Sequence, residues 1–217
     1  MFHAQFGEDK TLCGLLKHCG YPERPGIYID IGAWDPAIDS VTKHFYDTGW
    51  RGINVEPVPY YYELLKAQRP GDVNFLGAVG EVDGFRDFSH IVGTGLSTFR
   101  QDYVERFSQG RSVEVVRTQV LTLKQLCNQF LVKLTGVANI DFLKIDVEGT
   151  EREVLVGGDW WAYRPTILCI EATEPGTHHQ TAIPAWDTWD KMVRDFGYDF
   201  LEFDGLNRFY RSKETMP

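Results

Sequence analysis

Short apolar runs alternate with amphipathic stretches along most of this chain. Five of the runs are too short for helices and rich in β-branched residues, and they predict buried strands at 27–31, 53–56, 74–79, 142–146 and 166–171. The amphipathic stretches between them predict helices at 8–18, 40–48, 60–68, 122–133, 148–156 and 185–196. Strands that alternate with helices in this way predict an α/β fold with a doubly wound, largely parallel sheet.

The end of the chain shows a different pattern, with two short strands separated by a turn. Residues 198–203 and 208–211 are predicted strands, and the turn between them contains Asp-Gly, which favours an antiparallel hairpin. Two further strands are predicted at 85–88 and 114–119, around a mobile middle segment. Because no linker or repeat divides the sequence, we expect one domain over residues 1–217.

Three of the predicted strands carry a carboxylate at their carboxyl ends, namely Asp30, Glu56 and Asp146. In an open parallel sheet these ends lie side by side and form the ligand crevice. Three carboxylates suit a ligand rich in hydroxyl groups and positive charge better than a naked phosphate. The pattern therefore favours a sulfonium nucleoside, S-adenosylmethionine, as the ligand.

The loop after the first strand argues against a dinucleotide. It reads Asp-Ile-Gly-Ala-Trp-Asp-Pro over 30–36, with one glycine where a nicotinamide oxidoreductase would show G-x-G-x-x-G. Its aspartates would repel a pyrophosphate, whereas Asp30 can face a cationic ligand and Gly32 lets the backbone approach it. Glu56 follows Asp30 at close to the interval of about 20 residues at which an acid meets ribose hydroxyls. Turn capping by Asp30 and simple exposure of Glu56 are the structural alternatives.

Composition narrows the class of partner and the compartment. The chain is 43% hydrophobic and carries a net charge of -9, which is typical of a globular protein and argues against a nucleic-acid partner. No apolar run approaches the roughly 20 residues that span a bilayer, and the N-terminus lacks a signal-peptide pattern. We therefore expect a cytoplasmic protein without a membrane span, and its oligomeric state stays open. Four cysteines without metal-ligand spacing are expected to be free thiols: Cys13, Cys19, Cys127 and Cys169.

Four blocks of the sequence together resemble the FkbM-type methyltransferases: 28–33, 49–57, 141–149 and 170–172. The opening segment 5–9 and the closing segment 204–210 are similar to members of that family as well, so the resemblance covers nearly the whole chain. It implies a Rossmann-like class I methyltransferase sheet with a C-terminal antiparallel hairpin. It also implies S-adenosylmethionine-dependent O-methylation of a sugar, nucleotide-sugar or glycosylated small molecule. The chain departs from the family pattern at Trp34, where a small polar residue is common.

Cofactor-binding residues are expected at the ends of the first four strands. The end of the third strand is where class I methyltransferases hold the adenine edge. Gln5 and Glu8 precede the first helix and either close over the cofactor or cap that helix. The complete expected set is Asp30, Gly32, Ala33, Glu56, Pro57, Ala78, Val79, Asp146 and Gln5.

Methylation of a hydroxyl requires a general base or a metal ion, because the pKa of an alcohol lies far above neutral. The candidates surround the exits of the fourth and fifth strands: Asp146, Glu148, Glu171 and Lys144. Several like charges in one crevice raise a pKa or bind a cation. Asp146 and Glu171 would be the oxygen ligands of Mg²⁺, as in similar sugar O-methyltransferases. The alternatives are helix capping by Glu148, a strand-end salt bridge at Glu171, and Lys144 as the partner ion of Glu148 or Glu171.

Acceptor recognition is assigned to two loops and the hairpin turn. Ser97 lies in the polar, glycine-punctuated segment 92–98, which is either a loop over the acceptor or an ordinary connection. His178 and the adjacent His179 are reserve bases or exposed side chains. Asn207 and Arg208 offer donors to hydroxyl, carboxylate or phosphate groups. A lipid, polyketide or protein acceptor, and a non-catalytic glycan- or nucleoside-binding module, are the alternatives to a carbohydrate-methylating enzyme.

Overall fold

The computed structural model describes residues 1–19, 24–131, 134 and 139–213 of the chain. The helices are α1 (Glu8–His18), α2 (Lys43–Asp47), α3 (Pro59–Gln68), α4 (Gln101–Phe107), α5 (Leu123–Leu126, continued by the π-helical turn Cys127–Leu131), α6 (Glu151–Val156) and α7 (Asp190–Asp195). The strands are β1 (Ile27–Ile31), β2 (Arg51–Glu56), β3 (Val73–Leu76), β4 (Ala78–Gly80), β5 (Gly84–Ile91), β6 (Val113–Thr122), β7 (Phe142–Ile145), β8 (Ile167–Glu171), β9 (Tyr198–Phe203) and β10 (Asn207–Ser212).

A seven-stranded sheet in the order β3-β2-β1-β7-β8-β10-β9 forms the centre of the fold. The pairs from β3 through β8 are parallel, and β10 runs antiparallel to both of its neighbours. The predicted doubly wound sheet with a C-terminal antiparallel hairpin is thus confirmed. The chain order reverses between β1 and β7, which is where an open α/β sheet places its ligand crevice.

Both faces of this sheet are buried, which explains why its strands are continuous apolar runs. On one face Ile29 and Leu143 pack into a large core with side chains from α5, α6 and α7. On the other face Tyr28 and Phe142 pack with Leu12 of α1. Adjacent strand residues point to opposite faces, so these two layers of side chains hold the sheet between helices.

The chain leaves the main sheet at Gly77, so the prediction of one strand over 74–79 is wrong. β3 stays in the main sheet, whereas β4 pairs with β6 in a separate three-stranded sheet of order β4-β6-β5. The Gly77 N–H donates to the Glu56 carbonyl at 3.1 Å. A Cβ at this position would lie 2.4 Å from the Phe75 ring, so only glycine fits the close turn between the two sheets.

The helix predicted over 148–156 begins later than expected, at Glu151. Glu148 has φ 53° and Gly149 has φ 98°, and this left-handed backbone cannot belong to a right-handed helix. The two residues instead form a turn that follows β7. This turn brings Glu148 into the site described below.

Three other predicted helices also differ from the structure. The helix predicted over 40–48 contracts to α2, and the one over 185–196 contracts to α7, preceded by a 3₁₀ turn at Trp186–Thr188. The helix predicted over 122–133 is α5 with its π-helical turn, and Lys133 lies outside the described residues. Helix α4 has no counterpart among the predictions, since its seven residues are too few for a clear apolar period.

The cysteines and the lengths of the helices bear on two expectations drawn from composition. The four cysteines are free thiols, and Cys127 and Cys169 are buried while Cys13 and Cys19 are partly exposed. None of the helices within the described ranges has the length and apolar character that crossing a membrane would require.

A buried hydrogen-bond network joins β1, β2 and the start of β3 and provides a test of this part of the fold. The Tyr28 hydroxyl donates to Asp72 at 2.5 Å, and Asp72 also accepts from the Gly52 N–H and from the Asn54 side chain. Tyr28→Phe removes one donor from a largely buried carboxylate. We expect the free energy of unfolding to fall by about 1–2 kcal/mol, measured by urea denaturation.

Tyr60→Phe is the matched control, because Tyr60 is 66% exposed. Its effect should stay within about 0.5 kcal/mol. An equal effect of the two substitutions would show that the Tyr28–Asp72 bond contributes nothing specific.

Candidate functional site

A cavity of about 340 Å³ lies at the carboxyl ends of β1, β2 and β7. Its lining combines strand ends with the 39–41 segment, the 95–99 segment and the start of β4. Eleven of the residues predicted for the site line it: Gln5, Gly32, Ala33, Glu56, Pro57, Ala78, Val79, Ser97, Lys144, Asp146 and Glu148. The topology therefore gathers residues from most of the sequence around one space.

Five other predicted residues lie outside the lining of this cavity. Asp30 lies beneath it and Glu171 lies beside it. The His178 ring packs against Phe6, with 4.9 Å between ring centroids. Asn207 donates to a Glu8 carboxylate oxygen at 3.2 Å, and Arg208 donates to Asp190 and to the Tyr210 hydroxyl. The side chains of Asn207 and Arg208 are thus engaged in buried bonds within the protein.

Glu56 is a buried carboxylate at the end of β2, 4% exposed. One of its oxygens accepts from the Trp34 N–H at 2.9 Å and the other from the Val58 N–H at 2.8 Å. Burial raises the pKa of Glu56 to about 7, although these two bonds favour the ionised form. A carboxylate has about four acceptor positions, so each oxygen can still accept a hydrogen bond from a ligand.

Gly32 brings the end of β1 against the end of β7. It has φ 81°, and a Cβ on it would lie 1.8 Å from the Asp146 carbonyl oxygen, so no other residue fits. The Lys144 ammonium donates to the Gly32 carbonyl at 2.9 Å and lies 3.3 Å from both Asp30 and Asp146. Burial alone would lower the pKa of Lys144, but the two carboxylates raise it above its usual value. Lys144 is therefore a buried cation that holds the two strand ends together.

A second buried cation supports the cavity from below. The Arg69 guanidinium, 2% exposed, donates to the Pro36 carbonyl, the Ser40 hydroxyl and the Thr42 hydroxyl. The Thr42 hydroxyl in turn donates to Asp30 at 2.7 Å. Arg69 therefore holds the 36–42 segment, part of which lines the cavity, against the end of β1.

Three carboxylates form an acidic cluster beside the cavity: Asp146, Glu148 and Glu171. One oxygen from each lies within 4.8 Å of the others. One oxygen of Glu148 and one of Glu171 are buried without a hydrogen-bond partner among the described residues. Burial, together with the negative charge of Asp146, raises the pKa of both glutamates well above the ordinary value. Such a cluster can accept a proton or bind a cation.

Sequence reasoning missed several residues of this site. The Trp34 ring packs on Tyr61, both line the cavity, and the Trp34 indole N–H is buried without a partner among the described residues. The backbone of Trp34 has φ 47°, which nothing in its residue type indicates. Arg69 gave no signal either, because a single arginine near the end of a helix is usually solvated.

The contacts of Lys144 predict how its replacement changes the stability of the protein. Lys144→Met removes the cation between Asp30 and Asp146 and leaves two negative groups facing each other. We expect the free energy of unfolding at pH 7 to fall by about 3–5 kcal/mol in urea, the usual cost of breaking a buried ion pair.

Lys66→Met is the control, since Lys66 pairs with Glu63 at the surface of α3. It should change stability by less than about 1 kcal/mol. The double variant Asp30→Asn/Lys144→Met should recover part of the loss, because the pair is coupled. A small loss in Lys144→Met would contradict the ion-pair role.

A comparison with protein families matches the chain to the family described as "Methyltransferase FkbM domain" over residues 30–200. No curated protein sequence matches the chain. One solved structure that is similar to this chain is Burkholderia thailandensis 1,6-didemethyltoxoflavin-N1-methyltransferase, bound to 1,6-didemethyltoxoflavin and S-adenosylhomocysteine. It shares 13% sequence identity, the alignment covers 97% of this chain and 80% of that chain, and the TM-score is 0.47.

The family match spans the part of the chain that builds the sheet from the end of β1 into β9. It includes Glu56 and the whole acidic cluster. Three of the segments that resemble FkbM-type methyltransferases, 28–33, 49–57 and 141–149, contribute residues to the lining of the cavity. This chain belongs to the FkbM methyltransferase family.

Proposed function

We propose that this chain is an S-adenosylmethionine-dependent O-methyltransferase that methylates a hydroxyl of a sugar, nucleotide-sugar or glycosylated small molecule, with residues 1–217 acting as one unit. The observation that carries the proposal is that two kinds of carboxylate border one cavity. The cavity is bordered by a buried carboxylate suited to ribose, Glu56, and by Glu148 of the acidic cluster, whose pKa is raised. Cofactor recognition and proton removal can therefore take place in one space.

The residues around the cavity fit the cofactor, which supplies an activated methyl group on a sulfonium when bound. Glu56 has free acceptor positions for the two hydroxyls of a ribose. Gly32 lines the cavity where the ends of β1 and β7 meet, and Ala78 and Val79 offer an apolar edge for adenine. The cavity volume of about 340 Å³ lies within the range of small-molecule sites. Asp30 contributes from below by orienting Lys144, and Gln5, Ala33 and Pro57 complete the lining.

Proton removal is assigned to the acidic cluster. A carboxylate whose pKa is raised is a stronger base than an ordinary one. Glu148 and Glu171 each have an unpartnered buried oxygen that can accept the proton of a hydroxyl. Lys144 and Asp146 act on this pair through their charges. Ser97 lines the same cavity and is proposed to contact the acceptor, with His178 as a reserve base.

A divalent cation is a second proposal for the same cluster. Oxygen ligands from three carboxylates suit Mg²⁺, and the unpartnered oxygens of Glu148 and Glu171 leave coordination positions available. Asp146, Glu148 and Glu171 would hold the ion. A bound cation would favour the ionised form of all three side chains and lower the pKa of a hydroxyl beside them.

The alternative acceptors and the non-catalytic binding module that the sequence left open remain alternatives to this proposal. A lipid, polyketide or protein acceptor would use the same cofactor cavity and the same cluster. A non-catalytic glycan- or nucleoside-binding module would bind its ligand without turnover. Methyl-transfer assays with radiolabelled cofactor across these acceptor classes distinguish the cases.

Calorimetric titration with S-adenosylhomocysteine tests the cofactor assignment, with NAD as the negative control. We expect binding of S-adenosylhomocysteine alone, and affinity that rises as pH increases through about 7, because Glu56 accepts ribose hydrogen bonds best when ionised. Glu56→Ala should weaken binding by about 10- to 100-fold, the equivalent of a charged hydrogen bond, and should remove this pH dependence.

Glu63→Ala is the matched control, since Glu63 is an exposed acid on α3 whose side chain is 65% exposed. Its affinity should equal that of the unsubstituted protein. Binding of NAD in place of S-adenosylhomocysteine would contradict the methyltransferase reaction. Unchanged affinity in Glu56→Ala would remove Glu56 from the ribose site.

Glu171→Gln tests the acidic cluster. We expect kcat to fall by about 10²- to 10⁴-fold, the usual contribution of a general base, with little change in the affinity for S-adenosylhomocysteine. In the unsubstituted protein kcat should rise with pH through the raised pKa of the cluster, because only the ionised carboxylate accepts a proton. Measurement of kcat against pH with a responsive acceptor checks this.

Titration with Mn²⁺ followed by electron paramagnetic resonance tests the cation proposal independently of turnover. Mn²⁺ takes the same oxygen ligands as Mg²⁺, so bound Mn²⁺ that is lost in Glu171→Gln would support the ion site. Absence of Mn²⁺ binding, with the kinetic loss retained, would assign the cluster to proton removal alone. Full activity of Glu171→Gln would exclude both roles for this side chain.

A further inference from the structure

The turn 147–150, between β7 and α6, holds Glu148 in a backbone conformation that its residue type disfavours. Glu148 has φ 53° and Gly149 has φ 98°, so both residues are left-handed. A glutamate rarely populates this region, and it stays there only where surrounding contacts determine it. The side chains that bind the backbone of this turn therefore set the position of the Glu148 carboxylate.

Glu151 binds the N–H groups of the turn from the start of α6. Its Oε1 accepts from the Gly149 N–H at 2.9 Å and more weakly from the Val147 N–H at 3.4 Å. These are the two amides that flank Glu148, and they share one carboxylate oxygen. Burial raises the pKa of Glu151, and the bond from Gly149 acts against that rise. Glu151 is 4% exposed and lies outside the lining of the cofactor cavity, so its carboxylate contacts the turn and not the space for a ligand.

Thr98 binds the carbonyl group of the same turn. Its hydroxyl donates to the Glu148 carbonyl at 2.8 Å and accepts from the Arg100 N–H at 3.0 Å. The Thr98 backbone pairs with Ser89 of β5 through two hydrogen bonds of 3.0 Å, and Thr98 is fully buried. The Glu148 backbone is therefore connected to β5 through one side chain that is itself held in place.

Thr98 also connects the turn to the space for a ligand. Ser97 and Phe99, the residues before and after it, line the cofactor cavity. A shift of this segment would move the Thr98 hydroxyl and, with it, the Glu148 carbonyl. The wall of the cavity and the position of Glu148 are thus linked by one hydrogen bond.

We propose that Glu151 and Thr98 are positioning residues, which bind the backbone on both sides of Glu148 and hold its carboxylate beside Asp146 and Glu171. The proposal rests on the proposed function, because these residues act through the proton removal assigned to Glu148. Neither residue contacts the ligand or transfers a proton itself. Loss of either one displaces the Glu148 carboxylate from the acidic cluster.

Amide hydrogen exchange, followed by NMR on the full chain, tests these contacts without an acceptor. We expect the Gly149 amide to exchange about 10-fold faster in Glu151→Ala than in the unsubstituted protein, because it loses a hydrogen bond to a charged group. Glu151→Gln should retain most of the protection, since a glutamine oxygen can accept the same bonds.

Glu153→Ala is the matched control for exchange. Glu153 lies on the same helix and pairs with Arg86 at the surface. Its replacement should leave the exchange rate of the Gly149 amide unchanged. An unchanged rate in Glu151→Ala would overturn the proposal.

Turnover with the acceptor that responds in the methyl-transfer assays tests the consequence for Glu148. Glu151→Ala should lower kcat by about 10²-fold, the effect of displacing a reacting group by about 1 Å, with little change in KM. Glu151→Gln should recover most of this loss. Thr98→Val should lower kcat by about 10-fold, the loss of one hydrogen bond.

Thr118→Val is the matched control for Thr98→Val. Thr118 is another buried threonine, and its hydroxyl donates to the Val116 carbonyl. Its replacement should leave kcat unchanged.

A double-mutant cycle separates positioning from a general structural role. In a Glu148→Gln background, Glu151→Ala should cause no further loss of kcat, because the group that it positions is already absent. Additive losses, or equal losses in Glu151→Gln and Glu151→Ala, would overturn the proposal. Thr98→Val gives the same cycle from the carbonyl side, so failure of Glu151→Ala to fold leaves the test intact.

Calorimetric titration of the same samples with S-adenosylhomocysteine separates the two proposals. Retained binding and turnover in the unsubstituted protein, with an additive cycle, reject only the positioning role. Absence of S-adenosylhomocysteine binding, or of turnover with every acceptor class, rejects the proposed function itself.

Discussion

The ammonium of Lys144 between Asp30 and Asp146 is the interaction on which the site depends. It joins β1 to β7 at the point where the strand order reverses, and it also binds the Gly32 carbonyl. The close approach at Gly32 is possible because glycine lacks a side chain. The ion pairs and the glycine together set the distance between the two strand ends.

Buried charge has opposite consequences for the cations and the acids of this site. Lys144 and Arg69 are surrounded by acceptors, so their burial strengthens the framework. Glu56 and Glu171 are buried and Glu148 is partly buried, all with fewer compensating groups, and their pKa values are raised. For such a carboxyl the ionised form costs folding free energy, and the stability present below its unfolded pKa is lost as pH rises through the folded pKa. A ligand that donates hydrogen bonds to these acids would offset that cost.

The strand-end acids were predictable because parallel strands align their carboxyl ends at one edge. Asp30, Glu56, Asp146 and Glu171 each end or follow an apolar run, and the sheet brings those runs together in the expected order. The turn geometry was not predictable in the same way. Glu148 takes a left-handed backbone that its residue type disfavours, and the surrounding contacts determine it.

The sequence by itself determined the α/β class, the hairpin at the chain end and the strand-end acids beside the cavity, because these follow from local periodicity and from strand ends. Only the tertiary structure decided what each charged side chain contacts. Arg208 and Asn207 became buried structural donors, and Lys144 paired with Asp30 and Asp146 in place of the glutamates. The physical reason is that pairing depends on distances across strands distant in sequence, and the pattern along one strand does not encode them.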